Sequence, residues 1–155
     1  MQHTHPDIPV QLRWPRKLND VPKEVFLRQD VFHAEMERIF HGPQWHPIAH
    51  TAELAEIGSF KTAKIGQVPV FAVHGDDGQI RVFANSCPHR GTLLKTASRG
   101  RTKAIECPYH RWAFNNRGKL MGAPGIQDFP ESFRKEDYGL QVIRSEQFEG
   151  LVFAT

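Results

Sequence analysis

The sequence lacks the features that would tie it to a membrane or to an oxidising compartment. No apolar run approaches the length of a membrane span. The first residues, Met1-Gln2-His3-Thr4-His5-Pro6, show no basic patch followed by an apolar stretch, so no secretory signal is visible. There are only 2 cysteines in 155 residues, which rules out the multi-bridge framework of small secreted domains. There is no internal repeat and no low-complexity tract. No aromatic platform interleaves with the basic residues, which argues against a nucleic-acid partner. The expectation is a cytoplasmic chain with no membrane and no nucleic-acid contact. Hydrophobic content of 39% against 24% charged residues is ordinary for a globular domain, and the length allows one real core.

What is present concentrates in two short segments, Cys87-Pro88-His89-Arg90-Gly91 and Cys107-Pro108-Tyr109-His110. They read C-x-H, then seventeen residues, then C-x-x-H. Both cysteines of the chain are used, each beside one histidine. Two thiolates and two imidazoles suit either a mixed-ligand two-iron, two-sulfide cluster or a single tetrahedral zinc. A zinc knuckle usually pairs its cysteines in one segment and its histidines in another. Here each segment is mixed, so two loops can straddle two metals, and the cluster is the better reading. Pro88 and Pro108 stiffen the loops and lower the entropy lost on ligation. Gly91 fits a tight turn.

With their flanks, C-P-H-R-G and C-P-Y-H-x-W resemble the Rieske domain of the large subunit of aromatic-ring-hydroxylating oxygenases, over roughly residues 32–154. The resemblance implies a Rieske-type 2Fe–2S cluster with Cys87 and Cys107 on one iron and His89 and His110 on the other. It implies a ferredoxin or reductase as electron donor, and a homotrimer or α3β3 assembly. It also implies that His110 faces an Asp of a neighbouring subunit. The one departure is Arg111, where the family commonly has glycine; it adds positive charge beside the cluster. The family's catalytic site, a mononuclear Fe(II) held by two His and one carboxylate, belongs to a C-terminal domain. No counterpart of that domain is found in these residues. His41 and His46 copy its two-His spacing, but Gly42-Pro43 breaks the helix that would align them. The implied function is electron transfer to a neighbouring subunit's iron; the alternative is an autonomous Rieske ferredoxin.

Residues 1–29, with Pro6, Pro9, Pro15 and Pro22, read as an extended lead-in. Residues 30–43 read as a helix, with Asp30 as N-cap, a stripe of Phe32, Met36, Ile39 and Phe40, and Gly42-Pro43 as the stop. Residues 44–155 read as the iron–sulfur domain, mainly β. Its expected form is an antiparallel sandwich with a two-loop cluster-binding subdomain. Strands are expected at 60–65, 68–73, 80–83 and 104–106, and a hairpin at 112–120. Segments 140–143 and 150–154 should close the sheet, and Gly122-Ala123-Pro124-Gly125 should form a third loop over the cluster. Trp112 reads as core, Tyr109 as a shield or an interface residue. Lys95, Arg99, Arg101, Lys103, Arg111, Arg117 and Lys119 read mostly as a solvated face, with a landing surface for an acidic donor as the functional reading.

Overall fold

The structure, a computed structural model, describes residues 10–17 and 19–155. Pro6 and Pro9 of the expected lead-in lie outside the described residues. The chain forms two compact units, one ending at Gln44 and the other running Trp45–Thr155.

In the first unit the backbone is not extended throughout. A single helical turn, α1 (Glu24–Leu27), lies inside the stretch read as a lead-in. It is followed by α2 (Gln29–Glu35), which widens into a π-helical turn at Met36–Phe40. The turn closes with the His41 N–H donating to the Met36 carbonyl at 2.7 Å. Asp30 is not the N-cap. Arg28 takes that place with extended backbone, and Asp30 sits in the first turn, accepting from Arg28 Nε at 2.9 Å. The correction has a simple cause: the carboxylate finds a guanidinium two residues away, a stronger partner than a helix N–H.

The second unit is antiparallel β throughout, in three sheets. One holds β1 (His46–His50), β10 (Ser145–Phe148) and β11 (Leu151–Ala154), with β11 in the middle. The second has five strands in the order β5 (Arg99–Arg101), β2 (Ser59–Ile65), β3 (Val68–His74), β4 (Ile80–Ala84), β9 (Val142–Ile143). The third is small: β6 (Ile105–Glu106), β7 (Ala113–Phe114), β8 (Leu120–Gly122). The segments expected to close one sheet therefore split. Val142–Ile143 edges the five-stranded sheet, while Leu151–Ala154 lies at the centre of another.

Strand β3 explains the layering. Successive side chains of a strand point to opposite faces. Val70 and Ala72 enter one core with Ile48, Leu54, Val82 and Val152. Phe71 and Val73 enter the other, with Phe83, Cys87, Cys107, Trp112 and Phe114. The middle of the five-stranded sheet is thus buried on both faces. That is why residues 70–73 form an unbroken apolar run instead of an alternating one. The two cysteines belong to the second core, so the cluster loops are anchored by the same packing that closes the domain.

Candidate metal centre

The two cysteine loops share one backbone design. In the first, the Cys87 N–H donates to the Thr92 carbonyl and the Cys87 carbonyl accepts from the Gly91 N–H, both at 2.8 Å. In the second, the Cys107 N–H donates to the Trp112 carbonyl at 2.8 Å, and the Cys107 carbonyl accepts from the Arg111 N–H at 3.0 Å. Each cysteine is thereby pinned at both backbone groups. The fourth residue after each cysteine has positive φ: 71° at Gly91 and 57° at Arg111. The histidines differ by one place in this frame. His89 is two residues after its cysteine, His110 three after its own.

The loops bring the four predicted site residues together in pairs, thiol with thiol and imidazole with imidazole. Cys87 and Cys107 are buried, unbridged and close enough for their thiols to interact. Burial pushes the Cys87 thiol up, with the Cys107 thiol adding to the effect, while N–H groups of His89 and Arg90 pull the other way. The imidazoles of His89 and His110 meet edge-on, with centroids 4.8 Å apart. Burial holds the His89 imidazole below its ordinary basicity, and His110 and Arg90 add to that. His110 Nδ1 is buried without a hydrogen-bond partner. A buried ring nitrogen left unpaired is destabilising unless something else takes its lone pair. Among the described residues, no three His, Cys, Asp or Glu side chains gather around a single ion position. The donors are arranged as a pair of thiols and a pair of imidazoles, a donor set that fits a two-iron cluster with mixed ligands.

Aromatic rings surround the histidines unequally. Trp112 is core, as expected, but it also stacks on His89 with centroids 4.6 Å apart and planes 2° apart. Tyr109, 61% exposed, lies 3.8 Å from the His110 ring. The third loop does not end at Gly125. It continues through helical turns at Ile126–Asp128 and Lys135–Tyr138, and its Phe129, Phe133 and Tyr138 pack around Trp112.

Sequence reasoning missed Asn85. It is buried at the foot of the first loop, where Oδ1 accepts from the Leu94 and Lys95 N–H groups at 3.1 and 2.8 Å. Its Nδ2 donates to the Lys95 carbonyl at 2.7 Å, so one side chain clasps both ends of the loop. An Asn immediately before the Cys-containing turn was the available signal. Of the seven basic residues all but Lys95 are exposed, as expected of a solvated face, but four have partners. Arg101 pairs with Glu56, Arg117 with Asp76, and Arg111 Nη2 with Glu106 Oε1 at 3.0 Å. Lys95 is half-buried over the Phe60 ring, 4.8 Å from its centroid, and burial lowers its basicity. Four of the seven are therefore engaged in the fold.

A domain with this β architecture and paired Cys and His loops is defined by its cluster site, and residues 44–136 match the model of the Rieske [2Fe-2S] domain. The chain belongs to that family. It is similar to the large subunit of anthranilate 1,2-dioxygenase from Burkholderia cepacia, 38% identical over 141 residues, covering 87% of this chain and 33% of that subunit. Among solved structures it is similar to naphthalene 1,2-dioxygenase from Rhodococcus sp. bound to indole, with TM-score 0.82 and 32% identity, over 87% of this chain and 31% of that one. A quaternary ammonium Rieske monooxygenase, studied for carnitine oxidation and inter-subunit electron transfer, matches with TM-score 0.78 and 35% identity, over 86% of this chain and 36% of that one. The chain spans about a third of the length of these relatives. No helix among the described residues is long and apolar enough to cross a membrane.

Proposed function

We propose that this chain is the electron-entry domain of a Rieske oxygenase large subunit, with Cys87 and Cys107 holding one iron of a 2Fe–2S cluster and His89 and His110 the other. The observation that carries the ligand set is the buried, unpartnered Nδ1 of His110 beside His89, with two free, buried thiols in the same two loops. When bound, the cluster supplies a one-electron couple. The chain's own residues do the rest. The two core-anchored loops fix the thiolates. His89 and His110 are both only partly buried, so they form the side of the site that reaches solvent. Electrons come from a ferredoxin or reductase and leave for a mononuclear iron on a neighbouring subunit. The match to a monooxygenase studied for inter-subunit electron transfer supports that route.

The relatives are oxygenase subunits and not ferredoxins, so the free-carrier alternative is not taken further. Similar domains occur in proteins that act on an aromatic acid and on quaternary ammonium compounds. Substrate choice therefore lies outside this domain, and an aromatic substrate is an expectation only.

The test is to purify the protein anaerobically, assay iron and sulfide, and record the EPR spectrum after dithionite reduction. About two irons and two sulfides per chain, with the rhombic signal of a mixed nitrogen and sulfur cluster, is the expected result. Cys107→Ser should abolish both. Colourless protein carrying stoichiometric zinc would overturn the proposal.

A further inference from the structure

The two imidazoles are held in different ways. His110 has at its ring the exposed Tyr109, with centroids 3.8 Å apart. His89 has Trp112, only 3% exposed, stacked face to face at 4.6 Å and 2°. Trp112 is itself locked. Its carbonyl accepts from the Cys107 N–H. Its indole meets Tyr138 edge-on at 5.5 Å and Phe133 edge-on at 6.1 Å, and Phe129 lies 6.3 Å away. Phe133 in turn stacks on Tyr138 at 4.7 Å, and Phe129 meets Phe133 edge-on at the same distance. The strap from 126 to 138 thus grips the indole, and the indole lies flat on the histidine.

A ring bond of histidine is a soft torsion with a broad well. Near-parallel stacking at contact distance removes that softness, because rotation of the imidazole drives its edge into the indole. Trp112 belongs to the second loop and His89 to the first. The plane of the first-loop imidazole is therefore fixed by the second loop and by the strap, not by its own loop. Pre-organised ligands of this kind lose less freedom on binding and hold a reacting centre in one geometry.

We propose that Trp112 is a positioning residue that fixes the plane of His89. The proposal rests on the ligand assignment above. Four proteins labelled with 15N-histidine test it, as reduced holoproteins studied by pulsed EPR: wild type, Trp112→Phe, Trp112→Leu and Phe114→Leu. Phe114 is fully buried in the same core, and substituting it reports loss of packing alone. Wild type should give two 15N couplings, one per histidine. In Trp112→Leu one coupling should shift and broaden while the other stays. Trp112→Phe should move the same coupling less. Phe114→Leu should lower the melting temperature and leave both couplings unchanged. If Trp112→Leu yields no holoprotein, Trp112→Phe decides: one coupling moved supports the proposal, none moved overturns it. Couplings unchanged in both Trp112 variants, both couplings moving together, or the same pattern in Phe114→Leu would each overturn it. Failure of the ligand assignment looks different, since wild type itself would then show no histidine couplings.

Discussion

Gly91 and Arg111 occupy the same place in two different loops. Each N–H donates to the carbonyl of the cysteine four residues before it, at 2.8 and 3.0 Å, and each backbone has positive φ. Glycine adopts this conformation freely, whereas a side chain costs about 1–2 kcal/mol there. Arg111 accepts that strain and places its guanidinium on Glu106, the neighbour of Cys107. Both partners are substantially exposed, so their pairing contributes little, within about 0–1 kcal/mol.

Arg111→Gly should therefore stabilise the domain. Strain relief of about 1–2 kcal/mol is offset by about 0.4–1 kcal/mol of extra freedom in the unfolded chain. The net gain should be about 0.5–1 kcal/mol, read as a higher thermal midpoint. Arg111→Ala keeps the strain and should gain nothing. Gly91→Ala meets only Ser86 Oγ at 3.8 Å, so its expected loss of about 1–2 kcal/mol comes from φ alone. A melting temperature for Arg111→Gly no higher than for Arg111→Ala would refute this account.

Two buried asparagines should differ in weight. Asn85→Ala removes three hydrogen bonds and strands two loop N–H groups, costing about 2–4 kcal/mol. Asn116 makes one bond, Nδ2 to the Thr102 carbonyl at 3.2 Å, and its Oδ1 has no partner. Asn116→Ala should cost about 1 kcal/mol or less, because it also removes an unsatisfied acceptor. Denaturant unfolding of both variants checks the order. Iron retention should fall in Asn85→Ala first, since only that side chain closes the first cysteine loop.

Gly118 sits against the core under the second loop. A Cβ there would lie 2.5 Å from Phe83 Cε1, at φ 84°. Gly118→Ala combines overpacking with backbone strain and should cost about 2–4 kcal/mol. Shrinking the obstacle with Phe83→Leu should recover part of that loss. A double-mutant cycle with no coupling would show that the clash is not its source.

Acid should weaken the domain partly through its turns. The Arg81 guanidinium, helped by the Gln79 N–H, holds the Asp77 carboxyl well below the usual carboxylate range. Lys61 and the His50 N–H do the same for Glu53. A depressed native pKa means that the unfolded chain takes up the proton first. The stabilisation is complete above the ordinary carboxylate value of about 4 and is lost as pH falls below it. Asp77→Asn should therefore melt lower than wild type at neutral pH, with a shallower decline below pH of about 4. Melting curves that run parallel through the acid range would contradict the assignment.

Much of the site was legible in the sequence because ligand chemistry is local. A thiol and an imidazole two or three residues apart, beside a stiffening proline, already suggest a metal-binding turn. The central hairpin was legible for a similar reason: 60–65 and 68–73 read as strands around the Gly66-Gln67 turn. The β5 strand was not, because Arg99-Gly100-Arg101 is exposed at every residue and owes its conformation to pairing with β2. The π-helical turn at Met36–Phe40 depends on a bond five residues apart that leaves no periodic mark. The clasp of Asn85 on Lys95, and the stacking of Trp112 on His89, join residues 10 and 23 positions apart in the chain. Residue types determined which atoms are offered to a metal. Only the packing of the two loops against one core decided which imidazole lies on a buried indole and which beside an exposed tyrosine, because orientation depends on neighbours that sequence order does not bring together.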